Sequence, residues 1–150
     1  MTSRTSLNPW RRYWAALVAR WKRRGTLGAR GERAAATFLR RAGYRVLGKN
    51  LRTNVGELDL LCLAPDDRTI VFVEVKTRRR APDQPAKSAA ATPEDAITRH
   101  KRGKLIAVAR GLVRANHWEA RPSRIDVVAI EWRDDQRPQI RHHVDAVRGR

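Results

Sequence analysis

The chain has 150 residues and carries 33 lysines and arginines against 15 aspartates and glutamates, a net charge of +18. The length fits one domain with an appendage, and the charge favours a polyanionic partner, nucleic acid first and an anionic membrane surface second. The single cysteine, Cys62, excludes an intramolecular disulfide and a cysteine-cluster zinc site.

Residues 1–27 are predicted to form a basic extension of a domain that covers residues 28–150. The extension holds seven basic residues and no acidic residue. Three tryptophans recur in it at helical spacing: Trp10, Trp14 and Trp21. Such a segment could dock on nucleic acid, pack against the domain or remain poorly ordered, and peripheral membrane contact through residues 10–24 is a weaker alternative.

The longest apolar run of the chain, residues 13–19, is too short to span a membrane. It is followed by arginines and a lysine instead of the small residues of a secretory cleavage site. We therefore expect a cytoplasmic protein.

The first predicted helix covers residues 31–42 and ends before Gly43, which stands at the usual position just past a helix C-terminus. Its apolar residues recur on one face, and Glu32 falls on that same inward face. A glutamate there could cap the first turn and complement the helix dipole, or it could lean over a sheet toward other carboxylates. The spacing leaves both roles open.

Three strands are predicted next, the last two forming a hairpin around a turn rich in proline and aspartate at residues 64–68. The strands cover residues 44–47, 57–63 and 69–76. We expect the hairpin to pair Leu63 with Ile70, and Leu61 with Phe72.

The hairpin places four charged side chains within apolar strands. Because side chains alternate along a strand, Glu57 and Asp59 share one face of the first hairpin strand, and Glu74 and Lys76 share one face of the second. The expected register sets Asp59 opposite Glu74 and Glu57 opposite Lys76.

The rest of the chain predicts a loop, a helix and two strands. The loop covers residues 78–91 and opens with Arg78, Arg79 and Arg80. The helix is expected to begin with Thr92 as its N-cap, and its apolar stripe consists of Ile97, Leu105, Val108 and Leu112. The final strands are predicted at residues 124–132 and 140–147.

Two acids and a lysine in apolar strands are what metal-dependent phosphodiester hydrolysis requires. A buried carboxylate is costly unless it is paired or binds a metal ion. Mg²⁺ prefers oxygen ligands, and Asp59 and Glu74 supply two carboxylates, to which the Val75 carbonyl could add a third oxygen. Lys76 could stabilise the transition-state charge or orient the attacking water. The structural alternative is a cross-strand ion pair of Glu57 or Glu74 with Lys76.

Several motifs in fixed order resemble the YraN-like family of bacterial proteins, over roughly residues 28–147. They are Gly31-Glu32, Gly43-Tyr44-x-x-Leu47-x-x-Asn50-x-Arg52, Gly56-Glu57-Leu58-Asp59-Leu60, Phe72-Val73-Glu74-Val75-Lys76-Thr77-Arg78, Lys101 with Lys104-Leu105, and Arg124-Ile125-Asp126-Val127-Val128. That family is similar to the restriction-endonuclease-like superfamily with its PD-(D/E)-x-K pattern, and especially to archaeal Holliday-junction resolvases.

The resemblance implies an α/β fold in which a restriction-endonuclease-like mixed β-sheet is flanked by helices. It also implies a divalent-metal site and a nuclease-like activity on DNA. Asp59 matches the first acid of the pattern, and Glu74 and Lys76 match its acid-x-lysine. Glu32 matches a first-helix glutamate that assists the metal. Lys101 matches a helix lysine of the family, and Glu57 matches a Gly-Glu pair that supports the metal ligands or contacts the substrate.

The leading hypothesis is a Mg²⁺- or Mn²⁺-dependent endonuclease for DNA, with branched or damaged DNA in repair or recombination as its substrate. Glu32, Asp59 and Glu74 would hold the metal and Lys76 would assist the attack. The expected phosphate contacts are Arg78, Arg79, Arg80, Lys101, Arg102 and Lys104. A homodimer is compatible with this activity. The alternative is a nucleic-acid-binding protein that keeps the nuclease fold without catalysis.

Overall fold

The structure is a computed structural model that describes residues 25–80, 97–133 and 137–148. The elements in chain order are α1 (Leu27–Arg41), β1 (Arg45–Thr53), β2 (Gly56–Leu63), β3 (Ile70–Arg80), α2 (Arg99–Ala115), β4 (Ser123–Arg133) and β5 (Gln139–Val147). The strands form one sheet in the order β1-β2-β3-β4-β5, in which β3 and β4 are parallel and the other neighbours are antiparallel. The predicted α/β fold with a mixed sheet between helices is confirmed.

Each helix covers one face of the sheet. On one face, Ala35, Ala36 and Leu39 of α1 pack against Leu60, Cys62, Val71 and Val73. On the other face, Leu105, Val108 and Leu112 of α2 pack against Leu61 and Phe72. Because both faces of β2 and β3 are buried, these strands are almost continuously apolar. A charged side chain within them is therefore an exception that needs a partner.

Helix α1 begins four residues before the predicted start. The side chain of Thr26 caps it by accepting a hydrogen bond from the Ala29 N–H at 3.2 Å. Glu32 consequently lies in the second turn, so the prediction that it could cap the first turn is wrong. Gly43 follows the helix with a φ of 87°, as its predicted position requires.

Helix α2 begins later than predicted, at Arg99. The hydroxyl of Thr98 accepts a hydrogen bond from the Lys101 N–H at 3.3 Å and is the N-cap. The predicted cap at Thr92 lies outside the described residues. The predicted apolar stripe is buried, although Ile97 precedes the helix.

Strand β3 is longer than the sequence predicted. Arg78, Arg79 and Arg80 were expected to open a loop, and this prediction is wrong, because they continue β3 and pair with residues 131–133 of β4. Strand β3 extends further because it pairs in parallel with β4, which is distant in the sequence. The local sequence of β3 does not reveal that pairing. Strand β1 is also longer than the predicted 44–47 and contains an irregularity between Val46 and Gly48.

The carboxylate of Asp126 links β4 to β5 through hydrogen bonds, and its side chain is fully buried on β4. Its carboxylate accepts hydrogen bonds from Arg124 Nε at 2.9 Å, from His142 Nε2 at 2.8 Å and from the Asp145 N–H at 2.9 Å. Burial acts to raise the pKa of Asp126, but these hydrogen bonds outweigh burial and hold the pKa below its usual range. The ionised carboxylate therefore stabilises this edge of the sheet.

The first turns of α1 approach β3 closely at Gly31. A Cβ atom at Gly31 would fall on Thr77 Oγ1 and come within 2.9 Å of Thr77 Cβ. Only glycine lets the backbone of α1 lie this near the strand. This close approach fixes the position of the neighbouring Glu32.

We expect Gly31→Ala to lower the free energy of unfolding by about 1–3 kcal/mol, because helix and strand must separate to admit the methyl group. Urea denaturation followed by circular dichroism measures the change. The matched control is Gly111→Ala in α2, where a Cβ would meet nothing within 4 Å. That variant should be more stable by about 0.5–1 kcal/mol, since alanine is the better helix former. Equal effects at both positions would contradict the packing argument.

The predicted division after residue 27 stays a prediction, because residues 1–24 lie outside the described part of the chain. None of the helices within the described ranges is both long and apolar enough to cross a membrane.

Candidate functional site

The acidic motifs lie where β2 and β3 separate. The ladder runs from Leu63 paired with Ile70 to Leu60 paired with Val73, which confirms the predicted register there. Beyond this point the Asp59 side chain bridges the strands, since its Oδ2 accepts a hydrogen bond from the Val75 N–H at 2.8 Å. The carboxylate of Asp59 is thereby fixed against the residue that follows Glu74.

Strand β2 does not alternate strictly near the site. Leu58 and Leu61 are three residues apart, yet both pack in the core beneath α2. The simple period of two, which would give Asp59 and Leu61 a common face, therefore does not hold across this segment. Asp59 instead reaches the backbone of β3 through its side chain.

Glu74 is a buried carboxylate with two cationic partners. Only 4% of the residue is exposed. Its Oε1 lies 3.2 Å from Lys76 Nζ and 2.5 Å from Lys101 Nζ. The ion pair of Glu74 with Lys76 named in the structural alternative is thus present, although it lies within one strand. The second partner, Lys101, comes from the first turn of α2; it was expected as a phosphate contact, not as a partner of Glu74.

The two lysines differ in their acid–base behaviour. Burial, together with the adjacent ammonium of Lys101, lowers the pKa of Lys76. Burial also acts to lower the pKa of Lys101, but its hydrogen bonds with Glu74 and Lys76 outweigh burial, so the pKa of Lys101 is raised. Lys76 is therefore the lysine that loses a proton more readily.

Glu32 faces inward from α1 and is only 6% exposed. It lines the same cavity as Asp59 and Glu74, so the structure brings the three predicted metal ligands to one opening with a volume of about 790 Å³. Residues of α1, β2, β3 and α2 contribute to its wall. The other charged side chains of the wall are Glu57, Lys76, Lys101 and Lys104.

Glu57 occupies the rim of this cavity and is exposed. It forms a salt bridge with Arg52, its cross-strand neighbour on β1. The predicted pairing of Glu57 with Lys76 is not the arrangement found. Its role as a support for the metal ligands or as a substrate contact stays a prediction.

The six predicted phosphate contacts do not form one group. Lys101 and Lys104 line the cavity, whereas Arg78, Arg79 and Arg102 are not among its lining residues in the described chain. Arg78 and Arg79 are exposed on β3, and Arg102 is half-buried on α2. The side chain of Arg80 is outside the described part.

The sequence analysis assigned no role to three polar lining residues, Thr77, Thr98 and His100. The buried hydroxyl of Thr77 has no hydrogen-bond partner in the described structure. Strand alternation assigns Thr77 to the face opposite Lys76, where it meets α1 at Gly31. Thr77 does stand within a motif of the family resemblance, but no local signal marked Thr98 or His100.

The donor chemistry of the cavity suits a hard divalent cation. Carboxylate oxygens are the ligands that Mg²⁺ and Mn²⁺ prefer, and Asp59, Glu74 and Glu32 provide them. Within the described residues, however, no three histidine, cysteine, aspartate or glutamate side chains stand close enough to hold an ion together. The ammonium groups of Lys76 and Lys101 already contact the Glu74 carboxylate and would compete with a metal ion for it. The ligand types therefore suit a divalent metal ion, but binding such an ion would require these carboxylates to move closer together.

Comparison with known proteins identifies the family. Residues 31–130 match the model of a family described as uncharacterised protein family UPF0102. The chain belongs to the UPF0102 family. This is the YraN-like family that the ordered motifs predicted, and the matched segment includes all proposed metal ligands.

Individual UPF0102 proteins are similar over most of their length. The chain is 41% identical over 119 residues to a UPF0102 protein of Pelobacter propionicus, covering 79% of this chain and 80% of that protein. It is 38% identical over 128 residues to one of Nocardia farcinica, covering 85% and 94%. It is 41% identical over 111 residues to one of Nitratidesulfovibrio vulgaris, covering 73% of this chain and 75% of that protein.

Proposed function

We propose that this UPF0102 protein is a divalent-metal-dependent endonuclease that acts on DNA. The observation that carries the proposal is the convergence of Glu32, Asp59, Glu74 and Lys76 on one cavity. Fold architecture alone does not define a reaction, but buried carboxylates beside a lysine are the groups that metal-assisted phosphodiester hydrolysis uses. These residues also match the pattern by which the sequence resembles restriction-endonuclease-like proteins.

The proposed chemistry divides the work among these side chains. Asp59 and Glu74 would hold Mg²⁺ or Mn²⁺, with Glu32 as a further carboxylate. Such an ion, when bound, lowers the pKa of a water ligand and neutralises phosphate charge. Lys76 is held beside Glu74 and supplies a positive charge that stabilises the developing charge of the reacting phosphate. The Val75 N–H fixes the orientation of Asp59.

DNA is the proposed substrate because the cavity lies in a strongly cationic protein. The net charge of +18 attracts polyanions, and Lys104 places an exposed ammonium at the cavity wall. Arg78 and Arg79 are exposed beyond the site on β3, and we propose that they, Arg80 and Arg102 contact flanking phosphates. The preference for branched or damaged DNA rests on the resemblance to Holliday-junction resolvases.

A second candidate is a nucleic-acid-binding protein without turnover. It is favoured by the ion pairs of Glu74, because two lysines already neutralise this buried carboxylate without a metal. This candidate predicts DNA binding that weakens steeply with salt, since counterion release dominates such affinities. It predicts no cleaved product under any metal condition.

The experiment that separates the two candidates is a cleavage assay with the full-length protein. Linear, nicked and four-way-junction DNA of matched sequence are incubated with Mg²⁺, with Mn²⁺ or with EDTA. We expect product only when a metal is present, and most product from the junction. Cleavage that persists in EDTA would contradict the metal requirement. Salt-sensitive binding with no product in either metal would support the non-catalytic candidate.

A further inference from the structure

Two ammonium groups share one oxygen of Glu74, and they belong to different elements. Lys76 is two residues away on β3, whereas Lys101 reaches across from α2. One cation is enough to balance the charge of one carboxylate. Asp59 supplies a second carboxylate, whose charge acts to raise the pKa of Lys101, so the second cation balances the acidic pair that would hold the metal.

The two lysines are held to different degrees. The Lys76 side chain is 24% exposed, and the Lys101 side chain is 44% exposed although its Nζ makes the shorter contact with Glu74. Lys101 can consequently leave Glu74 and remain solvated within the cavity, at a small cost in buried contact. Lys101 is therefore the partner whose departure from Glu74 costs less buried contact.

We infer that Lys101 is an internal counter-ion that holds Glu74 in the metal-free protein and is displaced when a divalent cation binds. The inference rests on the proposed metal site. A divalent cation and the Lys101 ammonium would compete for the same carboxylate oxygen, so binding of one disfavours the other. Lys101 is thus a positioning residue for the metal ligand, and its assignment as a phosphate contact applies only after displacement.

The displaced ammonium would remain at the site. Lys101 and Lys104 are three residues apart, are neighbours on one face of α2, and both line the cavity. Once released from Glu74, Lys101 adds a second cation to the α2 wall, where a substrate phosphate would lie. Metal loading and phosphate binding would then reinforce each other through one side chain.

The test measures metal affinity in the absence of DNA. Mn²⁺ is titrated into the full-length protein, and free Mn²⁺ is followed by electron paramagnetic resonance. We expect Lys101→Gln to bind Mn²⁺ more tightly than the wild type by on the order of tenfold, because the competing cation is gone. Lys101→Arg keeps the charge and should bind Mn²⁺ like the wild type. If the glutamine variant does not fold, the Mn²⁺ affinity of Lys101→Arg still tests the inference.

The matched control is Lys104→Gln, which removes the same charge from the same cavity wall. Lys104 is exposed, so its loss should change Mn²⁺ affinity by only about twofold. Equal tightening by Lys101→Gln and Lys104→Gln, or none by Lys101→Gln, would overturn the counter-ion role while leaving the metal site intact. Tenfold tightening by Lys101→Arg would also overturn it. Absence of Mn²⁺ binding to every variant and to the wild type would overturn the metal site itself.

Discussion

Replacing Asp59 with asparagine should abolish metal-dependent DNA cleavage while leaving the fold intact. Asparagine keeps an oxygen that can accept the Val75 N–H, so the link between β2 and β3 survives. It removes the negative charge that a divalent cation requires. A metal ion contributes several kcal/mol to the transition state, and about 1.4 kcal/mol corresponds to tenfold, so we expect a loss on the order of a thousandfold.

Single-turnover cleavage of a four-way junction measures this loss, and a gel-shift titration measures DNA affinity separately. Affinity should be unchanged or slightly higher, because the substitution removes a negative charge near the bound phosphates. Asp67→Asn is the matched control, since Asp67 is an exposed carboxylate whose φ of 55° asparagine tolerates. An Asp59→Asn variant that cuts as fast as this control would rule out Asp59 as a ligand.

The largest expected effect on stability is at Asp126. Asp126→Ala removes the acceptor of four donors, Arg124 Nε and Nη2, His142 Nε2 and the Asp145 N–H. Breaking a buried charged network from one side leaves its partners uncompensated, and we expect a loss of about 3–5 kcal/mol in the free energy of unfolding. Chemical denaturation of the purified variant beside the wild type measures it.

The pH dependence provides the internal check on that variant. Because the pKa of Asp126 is lowered in the folded protein, its carboxylate contributes stability above its unfolded pKa of about 3.8, and this contribution is lost as the pH falls through the folded value. The stability difference between wild type and Asp126→Ala should therefore shrink below about pH 4. A difference that does not change in acid would show that Asp126 acts through packing alone.

Local sequence predicted the elements whose signals are local. The apolar runs of β2 and β3, the glycine after α1 and the amphipathic stripe of α2 each carry a periodicity or a cap that a single segment encodes. The helix starts were misplaced because Thr26 and Thr98, each through a single side-chain hydrogen bond, act as the N-caps. Element ends depend on such individual hydrogen bonds.

Long-range partners account for the other differences. Arg78 to Arg80 lie in β3 only because β4, far along the chain, pairs with them in parallel. The contact of Lys101 with Glu74 likewise depends on the packing of α2 across the sheet, which no spacing within α2 reveals. The sequence therefore identified the acids, Lys76 and Lys101 as candidates, and the structure added the contact of Lys101 with Glu74 and the close approach of α1.

We propose that the carboxylates of Asp59 and Glu74 together hold one divalent cation. Anomalous diffraction from crystals of the full-length protein soaked in Mn²⁺ would locate that ion. We expect a manganese peak between these two carboxylates, with Lys101 withdrawn from Glu74. A cavity that stays free of manganese at saturating concentration, with Glu74 still paired to both lysines, would contradict it.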